Sequence, residues 1–131
     1  MPQAAVIDQV QGQDRGALAR MVSKAFELWQ IGSDDQLSML GLSAGNRAAL
    51  SRYRRGEPLA ASRDLLERVG HILAIHKNLR LIFPQDRDLA YAWMTSRNRA
   101  FEGRSPVEVI KDFGFLGMLM VRAYLDRNRG I

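Results

Sequence analysis

The chain contains no cysteine. Disulfides, thiolate zinc sites and cysteine nucleophiles are therefore excluded, and the absence fits a reducing cytosol. Only two histidines are present, His71 and His76, five positions apart. A metal-binding pair on one helix face needs a spacing of three or four, so packed or surface histidines are expected, and no metal. No uninterrupted apolar run approaches the roughly 18 residues that a membrane span requires. The first residues carry acids and glutamines rather than a basic start and an apolar stretch, so no signal peptide is expected. A soluble, cytoplasmic protein without a membrane partner is the expectation. Also missing are an alternating strand pattern of useful length, an internal repeat, a phosphate-binding glycine loop and a Ser/His/Asp grouping. Neither an enzyme nor a cofactor is expected.

Acidic charge is absent from one long window. Between Gln36 and Gly56 there is no Asp or Glu, while Arg47, Arg52, Arg54 and Arg55 all fall inside. The net charge of +5 is modest for 131 residues, so its uneven distribution matters more than its size. Such a patch attracts phosphate without specifying sequence. A solvated helix face has the same composition.

What is present is apolar content of 47%, arranged at helical period. The length bounds the chain to one compact unit, or to two very small lobes sharing a core. Residues 1–13 are polar with scattered small apolar residues and read as a flexible arm. From Asp14 onward Leu18, Met21, Val22, Ala25, Phe26 and Trp29 recur at three- and four-residue spacing, and this helix stops near Gly32. Ser33 with Gln36 forms a capping-box pattern that opens a short helix with Leu37 and Leu40 inward. Gly41 supplies a positive φ for a tight turn. A further helix is predicted from about Ala44 to Arg55, ending at Gly56 with Pro58 beyond.

Ser62 is the candidate cap of a long amphipathic helix. Its apolar face is Leu65, Leu66, Val69, Ile72, Leu73, Ile75, Leu79 and Ile82, and Pro84 ends it. Residues 86–95 form another helix bearing Leu89, Tyr91 and Trp93. Ser105, Pro106 and Glu108 read as N-cap, first helical position and capping-box partner. The helix they open is predicted over about Pro106 to Phe113. A Gly114/Gly117 interruption follows, and a last helix runs from Phe115 or Gly117 to Leu125. The fold class is all-α, with Trp93 and Phe101 as core aromatics.

Residues 34–56 have the layout of a helix-turn-helix, in which the first turn of the second helix faces base edges. Ser43, Asn46 and Arg47 are then the base-reading candidates, and Arg52, Arg54 and Arg55 the phosphate contacts. The turn is about two residues longer than in the commonest repressor-type motif, and Gly45 weakens the helix start. A purely structural helix pair remains the alternative. Near the C-terminus, Phe113, Phe115, Leu116, Met118, Leu119 and Met120 supply more apolar surface than one short helix buries against a small bundle. Core packing and a partner or dimer surface are both open. Beyond them Arg122, Tyr124, Asp126, Arg127 and Arg129 make a mixed polar end.

Residues 20–131 resemble the Xre/MbcA/ParS antitoxins, whose members neutralise RES-domain toxins. The resemblance begins with Leu40-Gly41-Leu42-Ser43 and Tyr53-Arg54-Arg55-Gly56-Glu57-Pro58-Leu59. It continues with Trp93, Asn98, Phe101, Gly103, Ser105-Pro106, Gly114 and Val121-Arg122-Ala123-Tyr124-Leu125-Asp126. It implies an Xre-like DNA-binding region at 14–60 and a small helical toxin-binding domain at 61–131, sharing the long central helix. It further implies an antitoxin that occludes the active site of a toxin consuming NAD or transferring ADP-ribose, with NAD belonging to the toxin. The implied partners are a RES-domain toxin, operator DNA and a second copy in a homodimer. On this resemblance the expected docking residues are Phe115, Met118, Arg122, Tyr124, Asp126 and Arg129. A stand-alone regulator whose C-terminal domain only dimerises, and a protein-binding module with a vestigial helix-turn-helix, are the competing possibilities.

Overall fold

The computed structural model describes residues 12–130, which form six α-helices and two 3-10 turns with no strand among them. The helices are α1 (Gly12–Leu28), α2 (Ser33–Leu40), α3 (Arg47–Arg54), α4 (Arg63–Ile82), α5 (Arg87–Ala92) and α6 (Pro106–Asn128). The chain is all-α, as its apolar period predicts. Most of the expected N-terminal arm lies outside the described residues; Gly12 and Gln13 already belong to α1.

The long helix α4 is the centre of the packing. It touches α1, α2, α5 and α6, and its contact with α6 is the most extensive in the molecule. Leu65, Val69, Ile72, Ile75 and Leu79 are its buried apolar side chains. They join Phe26 and Trp29 of α1, Leu37 and Leu40 of α2, and Val121 and Leu125 of α6 in one contiguous core. Helix α2 packs on α6 as well as on α3. The basic half and the C-terminal half therefore share their interior. Removing apolar surface from water is the main stabilising term in such a core.

Three helix starts follow from side chains legible in the sequence. Ser62 accepts from the Leu65 amide, and Asp86 accepts from the Leu89 amide. Ser105 Oγ accepts from the Glu108 amide at 3.1 Å, and Glu108 Oε1 accepts from the Ser105 amide at 2.8 Å. This reciprocal pair satisfies two amides that the first turn otherwise leaves unpaired. The same bonds hold the Glu108 carboxyl below its ordinary range.

Two other starts differ from expectation. The capping box at Ser33 and Gln36 does not form: Gly32 is the N-cap residue and makes no side-chain bond. Ser33 is already inside the helix, and Gln36 Nε2 donates instead to the Ile31 carbonyl at 2.8 Å. Asp34 and Asp35 in the first turn face the positive end of the helix dipole. Helix α3 begins at Arg47 rather than Ala44. Residues 43–46 are spent on a turn closed by the Asn46 amide on the Ser43 carbonyl at 3.0 Å.

The Gly114/Gly117 interruption resolves into two different roles. Gly114 adopts φ 62° and ψ −136°, a conformation closed to side-chain-bearing residues, and breaks α6 into two arms. Gly117 is helical and buried, and an added Cβ would sit 2.3 Å from the Val109 carbonyl oxygen. Residues eight apart in a straight helix lie about 12 Å apart along its axis. The contact therefore requires the second arm, 115–128, to turn back sharply against the first. The second arm continues to Asn128, three residues beyond the predicted end.

Candidate nucleic-acid and partner surfaces

On α3 the side chains of Ala49, Leu50 and Tyr53 are buried, which turns Arg47, Ser51 and Arg54 along the opposite stripe at helical spacing. Ser43 is exposed in the turn before α3, and Asn46, at its N-cap, is half-buried. Arg47 is exposed but donates to Asp34 of α2 at 2.9 Å. Arg52 and Arg55 lie 3.5 and 3.7 Å from the carboxylate oxygens of Glu57. Arg54 donates to Ser51 Oγ, with no carboxylate within ion-pair distance among the described residues. The acids that partner this patch, Asp34 and Glu57, stand just outside the acid-free window. A linear scan of the window misses them because the chain folds both back onto it.

The second arm of α6 is apolar on two faces. Gly117, Met118, Val121 and Leu125 face inward. Leu116 is 60% exposed, Leu119 36% and Met120 40%, with Phe113 at the corner 44% exposed. Arg104 reaches over the Phe113 ring at 5.4 Å and ion-pairs with Asp112 at 2.9 Å. A shallow cleft of about 160 Å³ opens beside them, lined by Phe101, Arg104, Val109, Phe113 and Met120.

Set against the expected docking residues, Met118 requires correction. It is fully buried and presents no surface, because it lies on the stripe that packs inward with Val121 and Leu125. Phe115 is half-buried, edge-on to the His71 ring at 5.4 Å and beneath the Arg68 guanidinium at 5.5 Å. Tyr124 stacks on Trp93 at 6.1 Å and meets Phe101 edge-on at 5.3 Å. Phe101 is core as expected, while Trp93 is only partly buried against it. Met21, Leu81 and Leu89 are exposed singly on other helices, and the exposed apolar residues of α6 are thus Phe113, Leu116, Leu119 and Met120. Their signal was present in the sequence: a helix apolar all round needs cover on every side.

The remaining charged residues form a ladder between α4 and α6. Arg122 Nη1 donates to His71 Nδ1 at 2.8 Å, and Arg122 Nε lies 3.8 Å from Asp126. Asn78 Nδ2 donates to Asp126 Oδ1 at 2.9 Å, and Arg129 donates to Asn78 Oδ1. Burial, then the Arg122 charge, hold the His71 pKa below its ordinary value, with Glu67 opposing. His76 lies elsewhere, stacked on Tyr91 at 5.8 Å and tilted against Trp29 at 5.7 Å. Its pKa is also lowered, by burial and then by Arg80. Among the described residues no cluster of His, Asp or Glu is placed to hold a metal ion.

Residues 8–74 match the antitoxin Xre-like helix-turn-helix domain, and residues 78–130 match the antitoxin Xre/MbcA/ParS C-terminal toxin-binding domain. The chain belongs to the Xre/MbcA/ParS antitoxin family. It is also 34% identical over 102 residues to the uncharacterized protein y4oB of Sinorhizobium fredii (strain NBRC 101917 / NGR234), covering 78% of this chain and 76% of that one. Within this Xre/MbcA/ParS fold, the first match ends and the second begins on α4, so one continuous helix carries the chain from the helix-turn-helix domain to the toxin-binding domain. The arginine stripe of α3 lies in the first match, and both arms of α6 lie in the second. No helix among the described residues of this antitoxin-family chain is long and apolar enough to cross a membrane.

Proposed function

We propose that this chain is the antitoxin of a type II toxin-antitoxin pair, binding a RES-domain toxin and repressing its own operon. The toxin is the NAD-consuming or ADP-ribosylating enzyme; the antitoxin covers its active site and performs no catalysis. One observation carries the reading: Phe113, Leu116, Leu119 and Met120 form an uncovered apolar face inside the region matched to a toxin-binding domain. Soluble monomers seldom leave contiguous apolar surface without a use, and a tight interface needs such a centre with polar groups around it. Arg122, Asp126 and Arg129 supply the polar end beyond that face. Residues 14–60 then serve operator DNA, residues 61–131 serve the toxin, and the active form in the cytoplasm is a homodimer.

At the DNA, Ser43 in the turn, Asn46 at the N-cap and Arg47 in the first turn of α3 serve the base edges that a recognition helix meets, and Arg52, Arg54 and Arg55 serve the phosphates. The deciding experiment is co-expression with a RES-domain protein encoded beside this gene. Restored growth and co-purification of the two chains are expected. If the chains neither co-purify nor restore growth while this protein dimerises and binds its operator, it is a stand-alone regulator whose apolar face receives its own second copy.

A further inference from the structure

Asn78 is out of place by local chemistry. It sits inside α4, one turn from Ile75 and beside Leu79, and is 1% exposed. Asparagine is a poor helix former, and a buried amide is costly unless both its ends are bonded. A leucine there would extend the apolar stripe of Ile75, Leu79 and Ile82. What the amide does instead is hold two charged groups of opposite sign at once. Its NH2 donates to Asp126 and its oxygen accepts from Arg129, residues 48 and 51 positions downstream.

His71 lies seven residues before Asn78 on α4, two turns along the same side, and holds Arg122. Two polar groups of α4 thus fasten two charged residues of α6 and Arg129 at its C-cap, spaced four and three apart. Asp126 and Arg129 remain partly open to water, so neither needs Asn78 for its solvation. We infer that Asn78 is a positioning residue for partner binding: its two-sided amide sets the charged end of α6 in the arrangement that meets the toxin. This rests on the toxin-binding reading above.

Positioning and simple structural roles make opposite predictions for Asn78→Leu. A structural amide lost from the interior lowers the melting temperature and leaves the affinity of the folded fraction alone. A positioning amide replaced by a well-packed leucine changes the melting temperature little, because Asp126 and Arg129, both open to water, remain solvated without it. It weakens toxin binding by about tenfold, mostly through faster dissociation, because the partner must order the loosened charges.

The measurement is the dissociation constant of the full-length chain for the adjacent RES-domain protein, for wild type, Asn78→Leu, Arg129→Ala and the double variant. The expected result is a loss on Asn78→Leu that shrinks when Arg129 is already alanine, because only the Asp126 half of the arrangement then remains to lose. Should leucine compromise folding, Asn78→Ala takes its place; it removes both amide bonds without placing a charge in the interior, and the same loss is expected. Wild-type affinity in the variant, or an undiminished loss in the Arg129→Ala background, overturns the inference while leaving the toxin reading intact. Failure of the wild-type chain to bind overturns both.

Discussion

His71 accepts a hydrogen bond from a guanidinium, so its Nδ1 must be unprotonated for the bond to Arg122 to exist. Burial and the Arg122 charge both favour the neutral ring, which lowers its pKa in the folded chain from the ordinary 6.5. A histidine depressed in this way contributes stability above the unfolded value, and that contribution is lost as pH falls below it. His76, lowered by burial and Arg80, acts with the same sign. Thermal stability is therefore expected to fall as pH drops from 6.5, while the Glu108 carboxyl, held below its ordinary range, is still ionised. Melting curves at stepped pH test this, and the slope should be shallower in His71→Gln, whose amide bonds to Arg122 without titrating. The residue scale also separates Met118 from Leu119. Neighbours in sequence, one is fully buried and the other 36% exposed. Composition makes them equals; only the direction of the second arm of α6 distinguishes them.

At the scale of elements, helices whose caps are side chains were legible. Ser62 and Ser105 each carry a hydroxyl to the first-turn amides, so the start is written in one residue. The start of α2 was legible to within one residue although its expected capping box does not form, whereas the start of α3 was not, because Asn46 makes no side-chain cap. Gln36 reaches the Ile31 carbonyl, and Asp34 reaches Arg47 across the turn. The corner in α6 was legible as an interruption, but assigning the bend to Gly114 and the close approach to Gly117 needed the fold. Gly117→Ala is expected to destabilise by about 1–3 kcal/mol, since its methyl group meets the backbone of Val109. Gly70→Ala should stabilise by about 1 kcal/mol, as the exposed middle of α4 offers its Cβ open space. Chemical denaturation of the two variants reads both signs. On α3, Arg54→Ala should weaken binding to every DNA sequence and flatten the log-log salt slope by about 0.9. Arg52→Ala should do less, because Glu57 already engages Arg52. Equal effects would contradict a difference between an arginine without a carboxylate partner and one paired with Glu57.

At the scale of the whole molecule, the all-α class and the order of the two regions were legible because apolar periodicity reports burial directly. Which apolar face stays uncovered was not, because that depends on where α4 and the first arm of α6 end up. The fold leaves Leu116 and its neighbours bare while filling the opposite side of the same helix with Met118 and Val121. It also joins the two regions through α4 and through α2 on α6, so a partner seated on α6 touches the element that supports the helix-turn-helix. The most direct measurement is the dissociation constant of the complex with the adjacent RES-domain protein, for wild type and Leu116→Glu. Docking through this face predicts weakening of about a hundredfold or more, as for a central interface residue, with the melting temperature of the free chain unchanged. Equal affinities for the two proteins would contradict it.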